Sequence, residues 1–83
     1  MTIKMDWLER KSSIRRRLED VEGWGAYSEL TIHGVSKVFG ITYENAADFI
    51  YHGLVKPSQR VGKKGGPDFL IRREDLIEML DKV

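Results

Sequence analysis

The chain has 83 residues, the size of one small domain, and 41% of them are hydrophobic and 33% charged, which excludes a disordered chain. No apolar run approaches the roughly 18 residues of a transmembrane helix, and no apolar signal-peptide core follows the N-terminus, so a cytoplasmic protein is expected. The absence of cysteine excludes disulfides and thiolate metal sites, and a net charge of +1 leaves the kind of partner to the distribution of charge.

A helical pattern runs from about Ile3 to Glu22. The apolar residues of this segment fall on one stripe, at Ile3, Trp7, Ile14, Leu18 and Val21. Lys11 interrupts that stripe, and Gly23 and Gly25 end the helix. The stripe has to pack on something, either on the rest of the chain or on a second copy or a partner protein.

The same segment carries a basic run from Arg15 to Arg17, followed by acidic residues. Three successive helical residues fan over about 200° of the surface, so they cannot all touch one phosphate track. A solvated charged face, with ordinary pairing to Glu19, is therefore preferred over a phosphate contact. Trp24 and Tyr27, close to the glycines, are expected to anchor the linker to the core.

Two short helices joined by a tight turn are predicted next. Thr31 is a good N-cap for a first helix from about Ile32 to Phe39, and Gly40 stops that helix. Thr42 then supplies a second N-cap. This order of caps and turn residues is typical of a helix-turn-helix unit.

The second helix of this unit is predicted from Tyr43 to about His52, with Gly53 as its C-terminal cap. The apolar residues of the two helices recur at helical spacing and are expected to be buried, namely Val35, Val38, Phe39, Ala46, Phe49 and Ile50. The second helix has no Lys or Arg, and its exposed face is centred on Glu44, Asp48 and Tyr51.

A basic hairpin is predicted after the two helices. Its strands lie around Gln59 to Val61 and around Phe69 to Ile71, and its tip has the sequence GKKGGP. Residues 56–73 contain one acidic residue, Asp68, and six basic residues, which are Lys56, Arg60, Lys63, Lys64, Arg72 and Arg73. Such a flexible, positive tip can neutralise phosphates, and the alternative is a charged hairpin that serves only solubility.

A last helix is predicted from about Arg73, with Leu76, Ile77 and Leu80 on its apolar side. Glu74 and its neighbour Asp75 lie in the first turn, where they complement the helix dipole. This helix is expected to be structural. The predicted organisation is therefore a helix and linker over residues 1–29 and a helix-turn-helix with a hairpin over residues 30–83, within one compact domain.

From Leu30 to Leu80 these features, in this order, resemble the excisionase and MerR-type winged-helix DNA-binding domains. The segments that carry the resemblance are LTI, VSKVFGIT, FIYHGLV, RVGKKGG and FLIRREDLIEML. The resemblance implies an α+β, mainly helical fold, a winged helix-turn-helix with a two-stranded wing, to which the N-terminal amphipathic helix is an addition. It also implies that the second helix lies in the major groove and the wing tip along or in the neighbouring minor groove.

By matching positions, the resemblance implies DNA contacts from the second helix and the wing. With the neighbouring cations, the candidate DNA-binding residues are Thr42, Tyr43, Asn45, Ala47, Lys56, Arg60, Lys63, Lys64, Arg72 and Arg73. Members of the family often carry an arginine where Asp48 stands. Either the wing supplies most of the affinity, or the acidic face of the second helix meets a protein instead.

The sequence thus predicts a small protein that binds double-stranded DNA, an excisionase-like architectural factor or a transcription regulator. The alternative is a winged-helix adaptor in a phage or mobile-element complex, and the N-terminal helix could serve self-association or a protein partner. No enzyme is predicted, because no nucleophile and base form a motif and the glycine-rich tip lacks the context of a phosphate-cradling loop. No cofactor is expected, and His33 and His52 lack the spacing of metal ligands.

Overall fold

The computed structural model describes residues 6–60 and 69–83. It is mainly helical with a small antiparallel sheet, in the order α1 (Lys11–Glu19), β1 (Glu29–Thr31), α2 (Ile32–Phe39), α3 (Tyr43–Tyr51), β2 (Gln59–Arg60), β3 (Phe69–Arg72) and α4 (Arg73–Lys82). One 3-10 helix, Asp6–Arg10, leads into α1, and a second, Trp24–Ala26, follows it. Within the ranges described, the helices are too short and too polar to cross a membrane.

The N-terminal helix ends earlier, and is less regular, than predicted. A 3-10 turn and α1 replace the single helix, and Ile3 lies outside the described residues. Trp7 is fully buried, whereas Val21 is 77% exposed. The prediction that Val21 belongs to the buried stripe is wrong, because α1 ends at Glu19 and the next residue is extended.

Lys11 interrupts the apolar stripe of α1 for a structural reason. Its ammonium group donates a hydrogen bond of 2.6 Å to the backbone carbonyl of Val83, at the end of α4. Cations are favoured where the last carbonyls of a helix have no partner within the helix. The break in the pattern therefore reflects a contact between α1 and α4.

The capped helix pair forms as the sequence predicts. The hydroxyl of Thr31 accepts from the amide of Gly34 at 3.0 Å, and Gly40 adopts the left-handed conformation, with φ of 67°, at the end of α2. The hydroxyl of Thr42 accepts from the amide of Asn45 at 3.2 Å and begins α3. The bounds of α2 are those predicted, and α3 ends one residue early.

The sheet contains a strand that was not predicted. The strand order is β1-β3-β2, and both pairs are antiparallel. Leu30 in β1 lies opposite Ile71 in β3, and Gln59 in β2 lies opposite Leu70. β1 is three residues long and acquires its partner from a segment some forty positions away, so local pattern gives no signal for it. The predicted strand residue Val61 lies outside the described residues.

One core joins all the helices and the sheet. Trp7, Phe39 and Phe49 meet edge to face, with ring centroids 5.1–5.4 Å apart. Around them pack Ile14, Leu18, Val35, Val38, Ala46, Ile71, Leu76, Met79 and Leu80. The N-terminal helix therefore packs on its own domain, one of the two alternatives that the sequence left open.

Three residues that the sequence predicts to be buried or to act as anchors lie at the margin of the core. Trp24 is partly buried against the core, as expected for an anchor. Tyr27 is 59% exposed, with its ring 6.0 Å from that of Trp24, so it is not buried as an anchor would be. Ile50 is only partly buried. The turn of α3 that carries Ile50 thus lies at the edge of the packed interior.

Candidate nucleic-acid interface

The first turn of α3 presents three of the predicted DNA-binding residues. Thr42 and Tyr43 are exposed, Tyr43 by 43%, and Asn45 is partly buried. The oxygen of the Thr42 hydroxyl is used as the helix cap, which leaves its O–H as a donor. Hydroxyl and amide donors are groups that contact phosphate oxygens at DNA backbones.

Ala47 does not belong to this surface. It is only 7% exposed and lies on the inner side of α3 with Ala46 and Phe49. The predicted contact of Ala47 with bases or phosphates is therefore wrong, because a buried methyl group cannot reach the groove. The buried side of α3 is one residue wider than the predicted apolar stripe.

The outer side of α3 is acidic and aromatic. Glu44 and Tyr51 are exposed, Tyr51 by 62%, and Asp48 is partly buried. Within residues 6–60 and 69–83, neither carboxylate forms an ion pair. This face repels phosphates, although a carboxylate can accept a hydrogen bond from the amino group of cytosine.

Three candidate cations after α3 lie in the hairpin strands or in the segment that leads into them. Lys56 and Arg72 are exposed, and Arg60 lies in β2, paired with Phe69 of β3. Lys63 and Lys64, the predicted contacts of the tip, lie outside the described residues. The described part of the hairpin and the segment before it thus contribute three of the candidate cations.

The base of the hairpin is fastened to β1. The amide of Ser58 donates to the carbonyl of Leu70 at 2.7 Å, and the Ser58 hydroxyl bonds a carboxylate oxygen of Glu29. Glu29 is also the cross-strand partner of Arg72. Opposite charges at facing positions attract each other, so Glu29 offsets part of the charge that Arg72 offers to a phosphate.

Arg73, a predicted DNA-binding residue, makes a contact within the protein that the sequence does not predict. Its Nη1 donates to the carbonyl of Leu18 at 3.2 Å, near the end of α1, and its Nε is buried without a partner among the described residues. The guanidinium is partly buried between α4 and α1, so Arg73 has a role in packing, and its predicted DNA contact stays a prediction.

Two arginines of the basic run in α1 also have partners within the protein. Arg15 pairs with Glu19, at 3.6 Å, and with Asp81 of α4. Arg17 donates to the carbonyl of Val38 at 2.9 Å. The preferred interpretation of a charged face with ordinary helix pairing holds for Arg15, and the contacts to α2 and α4 add tertiary links that the spacing could not reveal.

Two further basic residues stand near the start of α3, although the sequence pattern did not single them out. Lys37 is exposed in the last turn of α2, and Arg10 is exposed at the end of the first 3-10 helix. The position of Lys37 follows from the predicted helix bounds. That of Arg10 depends on how α1 packs on α2, for which sequence offers no signal. His33 and His52 are both exposed.

No protein-family model, curated protein or solved structure matches this chain.

Proposed function

We propose that this chain is a small DNA-binding protein with a winged helix-turn-helix fold, acting in the cytoplasm as an excisionase-like architectural factor or a transcription regulator. The observation that carries the proposal is the capped pair α2 and α3 joined to the antiparallel hairpin of β2 and β3. A helix-turn-helix presents its second helix to the major groove.

The link between hairpin and helix pair supports this assignment. Strand β1 pairs with β3 and ends at Thr31, immediately before α2 begins. The hairpin base and the helix pair therefore share a short, hydrogen-bonded connection rather than a flexible linker. Such a connection holds two DNA-contacting elements at a fixed spacing, which reduces the entropic cost of binding with both.

The distribution of charge assigns different tasks to the two elements. α3 has no basic residue, so it would supply shape, register and base contacts from its first turn. The cations of the hairpin segment, Lys56, Arg60, Lys63, Lys64 and Arg72, would supply most of the attraction to phosphates. Phosphate contacts of this kind position a protein on the duplex without reading its sequence.

The test is the salt dependence of binding to a random-sequence duplex, measured by mobility shift from about 50 mM salt upward. Replacing both tip lysines, Lys63→Ala with Lys64→Ala, is expected to weaken binding to all sequences. It should flatten the slope of log K against log salt by about 1.8, or about 0.9 for each phosphate that is no longer neutralised.

The charge-matched control is Arg16→Ala with Lys82→Ala, which removes two cations from exposed positions of α1 and α4. It should leave the slope close to that of the unaltered chain. If the tip variant and this control behave alike, the wing does not hold DNA.

A second function, a winged-helix adaptor that binds another protein, is favoured by the outer face of α3. The two carboxylates and the exposed Tyr51 of this face, with the exposed Tyr43 at the start of the helix, suit a basic protein surface better than a phosphate backbone. If micromolar concentrations of the chain shift no random duplex at about 50 mM salt, the affinity is below that of DNA-binding modules and this function takes precedence.

A further inference from the structure

We propose that a basic cluster beside the turn between α2 and α3 binds the phosphate backbone of duplex DNA. The cluster consists of Arg10, Arg17 and Lys37, and we call it the turn cluster. The proposal rests on the proposed function and extends it to residues outside the helix-turn-helix and the wing.

Arg10 reaches the turn itself. A Cβ atom placed on Gly40 would lie 2.8 Å from Nη1 of Arg10, so the guanidinium lies directly against that glycine. Arg10 is nevertheless exposed. The absence of a side chain at Gly40 thus lets a cation from the N-terminal segment approach the backbone two residues before Thr42 begins α3.

Arg17 joins the cluster from the next part of α1. Its Nη1 donates to the carbonyl of Val38, in the last turn of α2, and the residue is exposed. That bond fixes the position of the guanidinium while using one of its five N–H donors. A planar guanidinium held in this way retains donors for a phosphate oxygen.

Lys37 completes the cluster on α2. It is exposed, and it lies three residues before Gly40, on the same side of the helix. Among the hydrogen bonds and ion pairs of the described ranges, none involves its ammonium group. A role in capping α2 accounts for Arg17, but no contact within the described protein accounts for Lys37.

The charges of the cluster are not neutralised by acids in the described parts of the chain. The ion pairs found there join Arg15 to Glu19 and Asp81, and Lys82 to Glu78. The turn cluster thus differs from Arg15, whose charge is balanced twice. Exposed cations without acidic partners are the groups that exchange counterions for phosphates.

The turn cluster lies next to the start of α3, where a contact with the phosphate backbone would position that helix. α3 itself has no cation, and the turn cluster stands at the end from which α3 would enter the groove. Backbone contacts next to a recognition helix fix its register on the duplex. The turn cluster and the wing would then hold the duplex at two places, one before α3 in the chain and one after it.

The experiment compares two double variants of the full chain by mobility shift on a random-sequence duplex, over a range of salt concentrations starting at about 50 mM. The test variant is Arg10→Ala with Lys37→Ala, which spares the Arg17 bond to α2. The control is Arg16→Ala with Lys82→Ala, which removes the same charge elsewhere. Thermal unfolding establishes that both are folded, and a test variant that unfolds early is replaced by Lys37→Ala alone, compared with Lys82→Ala.

The test variant is expected to flatten the slope of log K against log salt by about 1.8, or by about 0.9 for the single substitution, and the control variant to leave the slope unchanged. Equal slopes for test and control overturn the turn cluster and leave the proposed function standing. If the unaltered chain does not bind duplex DNA, both the proposed function and this inference fail.

Discussion

Three small residues mark the ends of the helices in the α2–α3 pair: Thr31 begins α2, Gly40 ends it and Thr42 begins α3. Thr31 and Thr42 each satisfy an amide that the helix leaves free, a contribution of about 1 kcal/mol per cap. Gly40 adopts a left-handed conformation that costs another residue roughly 1–2 kcal/mol. A Cβ atom added at Gly40 would also lie 2.8 Å from the end of the Arg10 side chain, which would have to shift. The left-handed glycine and the cap at Thr42 therefore help to determine how α3 is oriented relative to α2.

Asp48 offers the sharpest test at the residue scale, because it stands on the outer side of a helix proposed to face phosphates. Asp48→Asn removes a carboxylate charge, and a charge about 4 Å from a phosphate is worth roughly 1 kcal/mol in water. Affinity for a random duplex at low salt, measured by fluorescence anisotropy, should therefore rise about fivefold.

The control for Asp48 is Glu22→Gln, which neutralises an exposed carboxylate in the loop after α1. A rise that is the same for both variants would reflect net charge alone. If the affinity of Asp48→Asn is no higher than that of the control, the outer face of α3 does not lie near bound DNA. The protein-binding function is then favoured.

At the scale of elements, α1 is part of the folded core rather than an appended helix. Ile14 and Leu18 are at most 1% exposed, and Trp7 packs against Phe39 of α2 and Phe49 of α3. Hydrogen bonds from Lys11 and Arg73 tie α1 to α4 as well. The N-terminal segment thus supplies part of the core against which α2 and α3 pack.

Ile14→Ala tests this integration. Truncating a fully buried isoleucine removes apolar contact and leaves a cavity, so the free energy of unfolding should fall by about 2–5 kcal/mol in urea denaturation. Ser12→Ala, at an exposed position of the same helix, should change it by no more than about 0.5 kcal/mol. A decrease for Ile14→Ala as small as that for Ser12→Ala would mean that α1 is dispensable to the fold.

The elements that sequence predicts well are those governed by neighbouring residues. α2 and α3 follow from the Thr caps, Gly40 and the apolar spacing, and α4 begins at the predicted Arg73. Local pattern does not predict β1, because its partner β3 lies far along the chain. Val21, by contrast, falls on an apolar stripe that continues in the sequence but not in the fold, since α1 ends at Glu19.

The candidate site shows the same division. The exposed first turn of α3 and its acidic outer face follow from helical periodicity. The burial of Ala47 and the contact of Arg73 with Leu18 do not, because they depend on which elements pack together. Basic residues are especially hard to assign from sequence, since a guanidinium serves a helix end and a phosphate equally well.

For the whole molecule, a net charge of +1 conceals a separation of charges. The outer face of α3 is negative, whereas cations lie before it, in the turn cluster, and after it, in the hairpin segment. A duplex bound across all three would be held at its backbone by cations from the segments that precede and follow α3 in the chain. Binding should consequently be strongly salt-dependent in spite of the small net charge.

The most direct measurement is a titration of the ¹⁵N-labelled full chain with a random-sequence duplex at about 50 mM salt, followed by amide chemical shifts. The account predicts that the largest changes fall on the first turn of α3, on Gly40 and Lys37, and on the tip lysines, while the second half of α4 stays unperturbed. Spectra that do not change at all, or changes confined to α4, would contradict it.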